Sequence, residues 1–127
     1  MEYKEDVRTF LKRDLGVFAA RSGQHKADLV KGPVDRFKGV KTNNRIDYAK
    51  NITTCTFKAI KACSEKSRKI LTGVYIFDKP NRVVMRDVGY KQSCYYDLKH
   101  IAIDEFMENF AKIQKEMNLN PSFKLIK

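Results

Sequence analysis

No run of apolar residues in this chain approaches the roughly 20 needed to span a bilayer, so no membrane partner is expected. Cysteine is scarce. Cys55, Cys63 and Cys94 are odd in number and show no CxxC spacing, which argues against a disulfide framework or a zinc cluster and fits reduced thiols in a cytoplasm. The start, MEYKEDVRTF, mixes charges through its first turns and lacks the pattern of a signal peptide. Histidine is limited to His25 and His100, and no nucleophile elbow or phosphate loop is present. An enzyme is therefore not expected, and neither is a cofactor or a metal. No internal repeat occurs, and no apolar–polar alternation is long enough for a sheet; TGVYIF is the only β-like hint. Negative charge is also in short supply. Against 26 Lys and Arg stand 15 Asp and Glu, a net charge of +11, which favours a polyanionic partner through counterion release and steering.

What remains is helical periodicity in a chain of single-domain size. Val7, Phe10, Leu11 and Phe18 predict an amphipathic helix from Glu2 to about Leu15. From Arg21 to Asn44 the pattern decays among Gly23, Gly32-Pro33, Gly39 and Asn43-Asn44. That stretch carries Arg21, Lys26, Lys31, Arg36, Lys38 and Lys41 against Asp28 and Asp35, and reads either as a basic connector along phosphates or as a solvated linker. A second helix, about Ile46 to Ala62, carries the stripe Tyr48, Ile52, Cys55, Ala59, Ile60 and Cys63. Its two cysteines read as small buried residues. Ser64 is a suitable N-cap for a helix from Glu65 to about Ile76. Gly73 inside that helix costs about 1 kcal/mol against Ala, which close approach of another helix would explain. Pro80 ends it.

The stretch NRVVMRDVGYKQSCYYDL, residues 81–98, reads as a helix-turn-helix. Asn81 caps a short helix with Val84 and Val88 one turn apart. Gly89 supplies a turn that needs no Cβ, and Tyr90 is the apolar residue inside it. A long helix, about Gln92 to Met117, then carries Tyr95, Leu98, Ala102, Ile103, Phe106, Phe110 and Ile113 on one stripe, with Asp104, Glu105 and Glu108 on another side. Such a unit places its second helix in the DNA major groove. With Tyr95, Leu98 and Ala102 inward, Lys91, Gln92, Ser93, Tyr96, Lys99 and His100 fall on or near the outer face of its first half. Gln92 suits adenine, Ser93 a base or phosphate, Tyr96 a thymine methyl or phosphate, and Lys91 and Lys99 phosphate or guanine. Arg82 and Arg86 would hold the backbone. His100 reads equally as a contact or as a solvated residue. The bland alternative is a helical hairpin with Gly89 as an ordinary C-cap. Asp87 and Asp97 read as salt-bridge partners.

SEKSRKILTGVYI, a short loop, and VVMRDVGYKQSCYYDLKHIAIDEFMENFA together resemble the ArpU family of phage and prophage transcriptional regulators, which look like region four of bacterial sigma factors. Ile70-Leu71 and Tyr75 match the first helix of that pattern. Val84, Met85, Val88, Gly89 and Tyr90 match the second helix and turn. Lys99, Ala102, Ile103, Phe106 and Phe110-Ala111 match the third. Met85 stands where the family has a small residue. Lys91 replaces its capping Ser or Thr, leaving Ser93 as the alternative cap. The resemblance covers about residues 45–114. Together with the helical periodicity it predicts an all-α chain, an N-terminal helix and basic linker over 1–44 followed by a sigma region-four-like helix-turn-helix domain over 45–127. It also implies regulation of late phage or prophage genes in the cytoplasm of a bacterial host, on double-stranded DNA, as monomer or homodimer, with contact to RNA polymerase. A small-terminase-type packaging protein and a polymerase-binding adaptor that uses the acidic face of the last helix are the alternatives.

Overall fold

Val7, Phe10, Leu11 and Leu15 recur at the spacing of one helical face, and all four are buried in the computed structural model. The structure describes residues 2–32, 37, 39, 41–119 and 123–125, with side chains from Glu5 onward. Among the described residues there are helices and no strand. The first helix, α1, covers residues 2–21, as α-helical Glu2–Thr9 and Leu15–Arg21 around a π-helical turn at Phe10–Asp14. It runs past the expected end near Leu15 because Leu15 and Ala19 are themselves fully buried.

The stretch after α1 is partly built into the body. A short 3₁₀ turn, Lys26–Val30, buries Leu29. The Asp28 carboxylate accepts the His25 N–H at 2.9 Å, and Lys26 pairs with Asp78 at 3.1 Å. Arg36 and Lys38 of the expected basic connector lie outside the described residues. Asn43, read as a breaker, is the N-cap of α2, Asn44–Lys61; its side chain accepts the Ile46 N–H at 2.9 Å. Ile52, Cys55 and Ala59 face the core from α2.

Helix α3 covers residues 65–76, as α-helical Glu65–Leu71 followed by a π-helical turn, Thr72–Ile76. The β-like TGVYI is therefore helical, and this π turn packs against the one in α1. Ser64 stands at the N-cap position but makes no side-chain cap. Glu105 of the last helix instead ties this helix start down: it accepts the Ser64 N–H at 2.9 Å and the Ser64 hydroxyl at 3.2 Å, and also accepts the Ser67 hydroxyl. Burial alone would raise the Glu105 carboxyl, but these donors outweigh it and hold the group below the usual carboxylate range. Glu105 is thus a tie between helices and not part of an outer acidic face.

Asp78, left-handed at φ 54°, ends α3 before Pro80 is reached. Helices α4, Asn81–Val88, and α5, Gln92–Glu116, follow. The α5 helix is central and packs on α1, α2 and α3. Phe106 and Phe110 meet Phe10 at ring separations of 6.4 and 5.6 Å, and Phe123 closes the cluster 5.2 Å from Phe10. Gln114 holds Phe123 by donating to its carbonyl at 3.0 Å. Each large side chain removed from water here contributes about 1.5–3 kcal/mol. The N-terminal helix is therefore part of the same core as the C-terminal helices.

Candidate nucleic-acid interface

Helix α4 ends where Gly89 adopts φ +76°, and the N–H groups of Gly89 and Tyr90 both donate to the Met85 carbonyl, at 3.0 and 3.3 Å. This left-handed cap favours glycine, because a Cβ would meet the following carbonyl. The chain then turns through half-buried Tyr90, whose ring carries the Lys66 ammonium 4.5 Å from its centroid. Lys91 occupies the N-cap position of α5 in an extended conformation and makes no side-chain cap. Ser93, the alternative cap in the sequence, lies inside the first turn of α5. The first N–H groups of α5 therefore stand at an exposed, uncapped helix start beside a lysine, an arrangement suited to an anion.

Tyr95, Ala102 and Ile103 are fully buried, and Leu98 is half-buried. That orientation leaves Gln92, Ser93, Tyr96 and His100 exposed on α5 and Lys91 exposed at its N-cap, with Arg82 and Arg86 exposed on α4. Tyr96 keeps 37% of its surface open while its ring packs edge-on against Tyr95 at 5.2 Å. Asp87 pairs with Lys79 at 3.6 Å.

Lys99 departs from this group. It is half-buried and donates to Asn81 Oδ1 at 3.1 Å, with its ammonium 5.8 Å from the Tyr75 ring. Burial lowers its pKa from the ordinary lysine value, and the Arg8 and Lys12 charges of α1 act in the same direction. Asn81 does not cap α4 as expected. Pro80 takes the N-cap position, and Asn81 is the first helical residue. Its side-chain oxygen accepts the buried Tyr95 hydroxyl at 2.8 Å as well as Lys99. Burial, then the neighbouring Tyr96 and Tyr75, push that hydroxyl up to about 12.

Asn81 therefore joins α4 to α5, a role hidden in the sequence because Asn is also a common cap. The neighbourhood of Arg8, Lys12 and Lys99 was likewise missed, since no local signal joins α1 to α5. Val84 seats α4 under α3 beside Gly73, and Met85 is half-buried against the core. Among the described residues no group of three His, Cys, Asp or Glu is placed to hold a metal ion. Among the described residues no helix is long and apolar enough to cross a membrane. Comparison with known protein families, with curated proteins and with solved structures found no match.

Proposed function

We propose that this chain is a sequence-specific DNA-binding transcriptional regulator of phage or prophage genes, with α4 and α5 acting as a helix-turn-helix of the sigma region-four type. The observation that carries the reading is the sidedness of α5. Its first half buries Tyr95 and exposes Gln92, Ser93 and Tyr96, next to an uncapped N-terminus and Lys91. Amide, hydroxyl and phenol groups on one exposed helical face suit the donor and acceptor pattern of the major groove. Arg82 and Arg86 on α4 suit the phosphates beside it, and the net charge of +11 supplies long-range attraction. Lys99, committed to Asn81, has a structural share in this reading and a smaller share in contact. Contact with RNA polymerase remains part of the proposal through the ArpU resemblance.

The test is duplex DNA titrated by fluorescence anisotropy over a salt series. Affinity should fall steeply with salt, and Lys91→Ala should flatten the log–log slope by about 1. Absence of binding even at low salt would overturn the reading.

A further inference from the structure

A cavity of about 380 Å³ opens between the 26–30 turn, α2 and α3, and none of its walls comes from α4 or α5. Its base is apolar. Leu29 and Ile76 are buried, and Phe57 and Ile60 are half-buried against them. Lys31, Lys61 and Arg68 stand exposed around it, one from each of the three surrounding segments. No carboxylate lines it among the described residues. Lys61 lies 5.7 Å from the centroid of the Phe57 ring, so one cation already sits over the apolar wall.

Neighbouring cations are treated differently. Lys26 is paired with Asp78, Lys69 with Glu65 and Lys79 with Asp87. The three cations at the cavity make no such ion pair among the described residues. Three positive groups around one apolar base, with no carboxylate beside them among the described residues, describe a ligand by its complement. A neutral hydrophobe would fill the base and leave the charges unanswered. A bare phosphate or a DNA backbone would answer the charges and leave the base empty. The volume falls within the range of small-molecule sites, where a mainly apolar wall combines with a few polar groups that fix orientation.

We propose that this cavity binds a small amphipathic anion, an apolar chain or ring carrying one carboxylate. The carboxylate lies among Lys31, Lys61 and Arg68, and the apolar body enters between Phe57, Ile60 and Ile76. The site shares no lining residue with α4 or α5, so the proposal does not rest on the DNA-binding reading.

The experiment is a two-dimensional amide NMR titration of the full chain with sodium octanoate, and in parallel with 1-octanol. Octanoate should give saturable shifts centred on Leu29, Phe57, Ile60 and Ile76, and octanol should bind more weakly. Lys61→Gln/Arg68→Gln should weaken octanoate by about tenfold or more and leave octanol nearly unchanged. Both residues are exposed, so the ligand-free spectrum of the variant should overlay that of the parent away from the substitutions; Lys61→Gln alone provides the milder version. Shifts that do not saturate, shifts centred elsewhere, equal binding of octanol, or octanoate binding untouched by the substitutions would each overturn the proposal.

Discussion

A Cβ placed on Gly73 would come within 2.8 Å of Val84 Cγ2, so the backbone of α3 touches the side chain of α4 at this pair. Gly73→Ala gains about 1 kcal/mol of helix propensity but forces Val84 or the helices apart, and overpacking of this kind costs about 1–3 kcal/mol. The crowding is expected to win. Urea unfolding should show Gly73→Ala destabilised, and clearly less so in a Val84→Ala background, where the clashing methyls are gone. Equal cost in the two backgrounds would mean that the helices do not meet here.

Asn81 Oδ1 serves both Tyr95 and Lys99. Asn81→Ala leaves the buried Tyr95 hydroxyl without its acceptor, at a cost of about 1–3 kcal/mol. Asn81→Asp keeps an acceptor and places a negative charge near Lys99, so it should cost less. Thermal melts of the two variants against wild type check the order. An alanine effect within about 0.5 kcal/mol, the usual range for surface positions, would contradict the tie.

Gly89 and the stripe of α5 were legible in the sequence because their causes are local: a helix end without a Cβ, and apolar residues three and four apart. Gly73 was legible for a related reason, since glycine inside a helix needs a compensating approach by something else. The π turns at Phe10–Asp14 and Thr72–Ile76 were not. An i→i+5 register leaves no propensity signature, and the β-branched TGVYI even resembles a strand. Glu105 was misread as an outer acid because its partner Ser64 lies 41 residues away. Only tertiary packing shows which face of α5 meets the start of α3. In the candidate interface, Gln92, Ser93 and Tyr96 are exposed as the helical wheel predicts, whereas Lys99 is drawn inward by Asn81, which a wheel cannot show.

The Glu105 tie is pH-dependent. Its folded pKa lies below the unfolded value, so its stabilisation is complete above the unfolded carboxyl pKa. That stabilisation is lost as pH falls through the folded one. Glu105→Gln should therefore be less stable than wild type near neutral pH, and the gap in Tm should close on acidification below the ordinary glutamate range. A gap that stays constant down to strongly acidic pH would rule out the carboxylate as its source.

The three thiols should separate by reactivity. Cys94 is exposed, whereas Cys55 and Cys63 are buried. Burial is the main cause that pushes their thiols up to about 12 and about 11. Since the thiolate is the reactive form, one thiol should react quickly with a disulfide reagent at neutral pH under native conditions. The other two should wait for unfolding. Fast reaction of all three would contradict the packing of α2 against α5.

The most direct measurement is a selection of the full chain against randomised duplex DNA at physiological salt, run beside Gln92→Ala/Tyr96→Ala. The predicted result is a sequence motif enriched by the wild type and lost in the double variant, with a cost of about 1–3 kcal/mol per residue at that site. The symmetry of the motif would distinguish a monomer from a two-fold dimer. No enrichment, or a motif that survives both substitutions, would contradict base reading by the first half of α5.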